Sequence, residues 1–344
     1  MSPYPRAPMR PPALALLALA VLVAAIAGCG GNSAPSDSRP DEDAKLLLDF
    51  APNAVHAGIY LAQERGYDDD EGVHLDVRAP SSSTDSVKAL LDGQTDLAIL
   101  DIHDLAIARE RDRDVVGVMA IVQTPLAAIL ARPDIRRPRD LQGHRAGVTG
   151  LPSDDAVLKS IVAGDGGDPA RVRRTTIGFN AVPALLSGRV AGATAFWNAE
   201  GVALRTKRPN MREFRVDSFG APSYPELVLA VTRETLDAKG PVVRATVRAL
   251  RRGYESTIRD PAAAVTALTD AEPTLDRDLT ATELDAVSPS FRAGADFYGQ
   301  LQPDVLAKWA TWEQRFGIVK RKPDVATMFD TSAARSGLAQ DPDA

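Results

Sequence analysis

Cysteine is nearly missing from this 344-residue chain: Cys29 is the single one. That excludes an internal disulfide, a thiolate metal site and a cysteine nucleophile anywhere in the body that follows it. Histidine is almost as scarce. His56, His74, His103 and His144 are the full set, and none falls in an H-E-x-x-H or comparable metal-ligand spacing, so no metal is expected. There is no G-x-S-x-G elbow and no G-x-G-x-x-G dinucleotide loop, so neither a serine hydrolase nor a nucleotide cofactor is expected, and no cofactor of another kind is indicated. Excess positive charge is also lacking. The net charge of −6 argues against a nucleic-acid partner. What remains, 44% hydrophobic and 25% charged, is the composition of a soluble globular protein, without repeats or heptads in the body.

The N-terminus is different. "MSPYPRAPMR" places Arg6 and Arg10 before the uncharged run "PPALALLALAVLVAAIAGC", the n-region and h-region of an export signal. "IAGC" (Ile26 to Cys29) resembles the lipobox of bacterial lipoproteins, so residues 1–29 are expected to be a signal peptide and Cys29 the lipidated first residue of the mature chain. Several acyl chains, at about 0.8 kcal/mol per buried methylene, anchor where one would not. Residues 30–44 are small, polar and acidic without apolar period, which predicts a flexible tether and a cell-membrane, extracytoplasmic location.

From Lys45, short apolar runs alternate with helical patterns: "KLLLDF", "HAGIYLAQERG", "VHLDVRAP", "STDSVKALLDGQ", "TDLAIL", "DIHDLAIARERD", "DVVGVMAIVQ". This βαβ rhythm predicts a parallel sheet covered by helices. A second block of the same kind runs from "HRAGVTG" to "NAEGVALRTKR", and the last hundred residues read as helices. The fold class expected is therefore α/β, with two lobes: residues 45–128 plus 222–344 as the first, residues 129–221 as the second. Two linkers, near Leu126 to Ala131 and near Phe219 to Pro225, would make a hinge. Ligands in such sheets bind beyond the carboxyl ends of the strands, and an exported, tethered hinge has the architecture of a transporter's substrate-binding protein. The basic cluster "RATVRALRRG" lies at helical spacing among apolar residues and reads as a solvated helix face.

Candidate ligand residues sit at strand ends. Asp49, Phe50, Asn53 and His56 combine an acid, a ring, an amide and an imidazole within eight residues, although Asn53 could simply cap a helix and His56 lie in its first turn. Ser82, in "PSSSTDSVKALL", offers a hydroxyl to a ligand or an N-cap to the next helix, two readings of equal weight. Asp101 ends the third strand, while His103 after it reads as a surface or packing residue. In "GVTGLPSDDAVLKS" a Gly-rich turn opens a helix, but Asp154 and Asp155 occupy its positive end and no lysine or arginine follows, which favours a neutral ligand over an anion. "TAFWNAEGVAL" supplies Trp197, Asn198 and Glu200. A tryptophan beside a carboxylate suits a flat heterocycle, the ring by stacking and the carboxylate by accepting from an exocyclic amine. Tyr224 could stack or donate at the second linker.

Three stretches carry a resemblance. "LDFAPNAVHAGIYLAQERGY", "FWNAEGVAL" and "FGAPSYPELVLAV" are similar to the opening motif, the Trp-Asn-x-Glu segment and the return strand of the thiamine-pyrimidine-precursor binding proteins (ThiY type), over about Lys45 to Ala334. The resemblance implies a periplasmic-binding-protein fold with two hinge crossings, a monomer, an ABC permease and its ATPase as partners, and a ligand such as formylaminopyrimidine or hydroxymethylpyrimidine. By position, Phe50 would line the ring, Asn53 and His56 the polar wall, and Glu200 would take an exocyclic amine. Phe50 stands where tryptophan is usual in the family, which loses indole area and an N–H donor. Relatives of this fold bind riboflavin, alkanesulfonates or nitrate, and one is a pyrimidine-synthesising enzyme using pyridoxal phosphate and a histidine. With its only cysteine in the export signal, this chain is expected to be a non-enzymatic binding protein.

Overall fold

The computed structural model describes residues 41–81 and 85–338, all within one contact unit of residues 39–344. The signal segment, Cys29, most of the tether and Ser82 lie outside the described residues.

Two five-stranded sheets share one plan. In the first, β1 (Glu42–Leu47), β2 (Val73–Arg78), β3 (Leu97–Asp101), β4 (Val115–Ala120) and β10 (Leu227–Thr232) lie in the order β2-β1-β3-β10-β4. In the second, β5 (Ala127–Ala131), β6 (Arg145–Val148), β7 (Arg173–Thr176), β8 (Gly192–Phe196) and β9 (Arg212–Arg215) lie in the order β7-β6-β8-β5-β9. Four strands of each sheet point the same way, as the βαβ rhythm requires. The fifth does not. β10 runs antiparallel to β3 and β4, and β5 antiparallel to β8 and β9. Each is the first strand after the chain passes from one sheet to the other, and it enters from the opposite end, so the expectation of a parallel sheet holds only within each uninterrupted block.

Two boundaries differ from the sequence expectation. β1 begins at Glu42, three residues inside the expected tether. Residues 127–131, expected as linker, form β5, so the first crossing is confined to residues 121–126. Its apolar residues are fully buried because β5 is covered on both faces, which reads in sequence like any apolar run. The second crossing spans residues 216–226, opening with a 3₁₀ turn at Val216–Phe219.

Helices from the C-terminal third cover the first sheet. Helix Ala57–Glu64, which follows β1, lies against the long helix Gly240–Arg259 so closely that a Cβ at Gly253 would stand 2.1 Å from the Gly58 carbonyl oxygen. Helix Pro303–Arg315 buries Trp309 and Trp312 against the helix Ile102–Glu110 side of the same sheet. No helix among the described residues is long and apolar enough to cross a membrane.

Candidate functional site

A cavity opens where the carboxyl ends of β1, β3 and β8 meet the N-terminus of helix Pro152–Gly164. The centres of water-sized molecules can occupy ≈ 90 Å³ of it. It is narrow because the Phe50 and Phe179 rings meet across it, edge to face with centroids 4.3 Å apart. Phe50 follows β1 of the first sheet and Phe179 follows β7 of the second, so the ring pair spans both.

Asp49, Asp101, Asp104, Asp154 and Glu200 all line the cavity, and among the described residues no lysine, arginine or histidine does. The folding of each segment explains the placement. Asp49 ends the β1 region and is held at 2.8 Å by Nε2 of the fully buried His56, whose Nδ1 accepts the Asn53 N–H at 3.3 Å. Asn53 in turn caps the next turn by accepting the Val55 N–H at 3.1 Å. Asp101 caps helix Ile102–Glu110, accepting the His103 N–H at 2.7 Å, and Asp104 lies one turn along. Asp154 accepts the backbone N–H of Thr149 at 2.5 Å and its hydroxyl, which turns the carboxylate inward, while Asp155 points out to Arg174 at 2.8 Å. Glu200 sits in a π-helical turn, Trp197–Gly201, before helix Val202–Lys207. Such wide turns displace one residue from the helical row and recur at functional sites.

No lysine or arginine pairs with Asp101, Asp104, Asp154 or Glu200 among the described residues, and the pKa values of these four reflect it. Burial raises Glu200 to about 7, with repulsion from Asp154 and Asp49 adding to it against backbone hydrogen bonds. Burial likewise raises Asp154, Asp101 and Asp104, the last two further pushed by neighbouring carboxylates and pulled back by His103. Glu283, behind the wall, is raised to about 7 by burial, with Glu200 contributing.

Of the residues expected from sequence, Phe50, Asn53, Asp101 and Glu200 face the cavity. Four do not line it. His56 stands behind the wall and reaches it through Asp49 and the Asn53 backbone. Trp197 points away, its indole N–H donating to the Pro125 carbonyl at 2.9 Å while the Arg215 guanidinium covers its ring at 3.8 Å. Asn198 is buried beside it, its amide without a hydrogen bond among the described residues. Tyr224 is fully buried in the second crossing, its hydroxyl 3.2 Å from His103 Nε2 and its ring stacked on Trp312. The physical reason is common to Trp197 and Tyr224: a large ring at a crossing is drawn into the core by its area, and strand-end position does not say which side it takes. Phe179, Asp104 and Thr194 were missed. Phe179 had a local signal, an aromatic one residue after a positive-φ glycine, Gly178, at the end of β7.

The second crossing is tied to the first by Glu226, whose Oε2 accepts the N–H groups of Leu126 at 2.6 Å and Ala127 at 2.9 Å.

Two similarly ordered sheets, two crossings and a cavity at facing strand ends define a periplasmic-binding-protein-like α/β fold with a helical C-terminal region. Solved structures agree: the alkanesulfonate-binding protein SsuA from Xanthomonas axonopodis pv. citri superposes with a TM-score of 0.68 at 16% identity, covering 84% of this chain and 98% of that one. The chain belongs to the NMT1/THI5-like family, whose model matches residues 53–264. It is 33% identical over 256 residues to a formylaminopyrimidine-binding protein of Halalkalibacterium halodurans, 74% of this chain and 77% of that protein. It is also 23% identical over 235 residues to a 4-amino-5-hydroxymethyl-2-methylpyrimidine phosphate synthase of Legionella pneumophila, 67% of this chain and 74% of that protein.

Proposed function

We propose that this chain is the substrate-binding component of an ABC importer and that it captures a thiamine pyrimidine precursor bearing an exocyclic amine, such as formylaminopyrimidine. The observation that carries the reading is the cavity wall of five carboxylates with no cationic side chain. Such a wall repels sulfonate, nitrate and phosphate and attracts N–H donors, each charge-assisted hydrogen bond contributing roughly 1.5–3 kcal/mol. Phe50 and Phe179 part to admit a flat ring and close on its two faces, one ring from each sheet. Glu200 accepts from the amine. The two sheet regions, residues 42–126 with 222–338 and residues 127–221, act as lobes that close about the two crossings, and the closed form is what the permease recognises.

The chain is exported, anchored through lipid on Cys29, and acts as a monomer. Binding without turnover is favoured over synthase chemistry because the wall offers no lysine for a Schiff base with pyridoxal phosphate, and His56 is sealed behind Asp49. A thermal-shift series tests the reading. An amine-bearing pyrimidine at a hundredfold excess over its Kd should stabilise by about 2.7 kcal/mol, with alkanesulfonate and nitrate inert. Stabilisation by the anions alone would refute it, and product formation with pyridoxal phosphate would refute the non-enzymatic part.

A further inference from the structure

Behind the Asp101 wall lies a second constellation that ligand capture does not use. A His103 ring nitrogen and one carboxylate oxygen each from Glu226 and Asp101 lie within 4.8 Å of one another. His103 and Glu226 are completely buried. Glu226 spends only Oε2 on the crossing; Oε1 accepts no hydrogen bond among the described residues and stands 3.5 Å from His103 Nε2, which also meets the Tyr224 hydroxyl at 3.2 Å, a contact that a bound ion would replace. On the far side of the imidazole, Glu313 of helix Pro303–Arg315 holds Nδ1. Three carboxylates thus surround one imidazole in the interior, and no lysine or arginine pairs with them among the described residues.

We propose that Asp101, His103 and Glu226 form a binding site for one divalent transition-metal ion of the zinc type. A buried excess of negative charge costs heavily unless paired or metal-bound, and an unpartnered carboxylate oxygen aimed at an imidazole nitrogen supplies two donors facing one point. The 3.5 Å between them is close to the edge of a tetrahedron of ligands about 2.0–2.1 Å from a zinc ion. Glu313 completes the carboxylate–histidine–metal arrangement, holding Nδ1 so that Nε2 faces the ion. Asp101 also lines the ligand cavity, which gives the ion an entry path. The donors come from the end of β3, the start of the following helix and the second crossing, so the ion would fasten the crossing to the first sheet.

The full chain, stripped with chelator and dialysed against Zn²⁺, tests this by metal analysis after gel filtration. One tightly held equivalent is expected. Glu226→Gln, which keeps an oxygen for the Leu126 and Ala127 N–H groups, should abolish it, and Glu313→Gln should weaken it about 10–100-fold as a positioning residue. Asp101→Asn provides a second ligand variant should Glu226→Gln fail to fold. Co²⁺ substitution should give the intense visible bands of a tetrahedral site. The exposed His74, which pairs with Asp69 and Asp41, is the competing surface site. No retained metal, or retention lost in His74→Ala but kept in Glu226→Gln and Asp101→Asn, overturns the proposal. Pyrimidine binding by metal-free protein is measured in parallel, so failure of the metal site leaves the ligand reading intact and separately tested.

Discussion

Helix Gly240–Arg259 and the ligand cavity handle charge in opposite ways. On the helix, Arg248 donates to Glu71 at 2.6 Å, Arg252 to Asp70 at 2.8 Å, and the buried Arg251 gives its N–H groups to the carbonyls of Tyr298, Ser336 and Ala334. The acids there are matched by arginines, Glu71 by two of them, and the basic cluster read from sequence as a solvated face is partly structural, with Arg251 buried. In the cavity five acids face one another with no lysine or arginine among the described lining residues, and Asp49 alone is held directly by a histidine, His56. A fold that can pair its charges on one face and leaves most of them unpaired on another keeps the second face under tension for something brought from outside. The difference teaches where binding free energy is stored: in buried carboxylates held without a lysine or arginine beside them.

The largest expected effect follows from Glu200. Glu200→Gln should weaken an amine-bearing pyrimidine by roughly 10–100-fold, the loss of one charge-assisted bond, measured by calorimetry. The same variant should raise the melting temperature of the ligand-free protein above pH 7 by about 2–4 °C, the shift from ~1 kcal/mol at this size. A loss of both affinity and stability would break the contrast between stored and satisfied charge.

The pH dependence sharpens it. The carboxyls facing Glu200 are Asp154, Asp49 and Glu283, and a ligand amine stabilises the ionised form. Affinity should therefore be level above about pH 7 and fall by up to tenfold per unit as pH drops below it. Folding should respond in the opposite sense. Glu200 and Glu283 have folded-state values raised from 4.5 to about 7, so the native state holds more protons than the unfolded chain between those values. Their stabilising contribution is fully present below about pH 4.5 and is lost as pH rises through about 7, which denaturant titrations of the ligand-free protein can follow. Phe179→Ala and Phe50→Ala come next, each expected to weaken ligand by about 0.5–1.5 kcal/mol beyond lost area, with similar losses because the rings face each other. The smallest effect belongs to the helix: Arg252→Ala should cost about 0–1 kcal/mol of stability, as exposed pairs do, and leave affinity unchanged.

Much of this architecture was legible in the sequence because it is local. The strand-helix alternation, the loop around Asp49 to His56 and the acid at Glu200 depend on residues within one turn of each other. The antiparallel β5 and β10 were not legible, since a buried strand reads the same in either direction. Nor was the role of Trp197 and Tyr224, whose rings turned toward the crossings rather than the cavity. The acid wall shows the limit most clearly. Asp49, Asp101, Asp104, Asp154 and Glu200 are separated by up to 151 positions along the chain (200 − 49), and only the closure of two sheets reveals that nothing positive lies among them.

The most direct measurement compares an amine-bearing pyrimidine with the same ring lacking that amine, by calorimetry on the wild-type chain and on Glu200→Gln. The account predicts that the wild type loses at least tenfold in affinity for the des-amino ring while Glu200→Gln binds the two rings alike. Equal discrimination by both proteins, or tight binding of an alkanesulfonate in place of either ring, would contradict it.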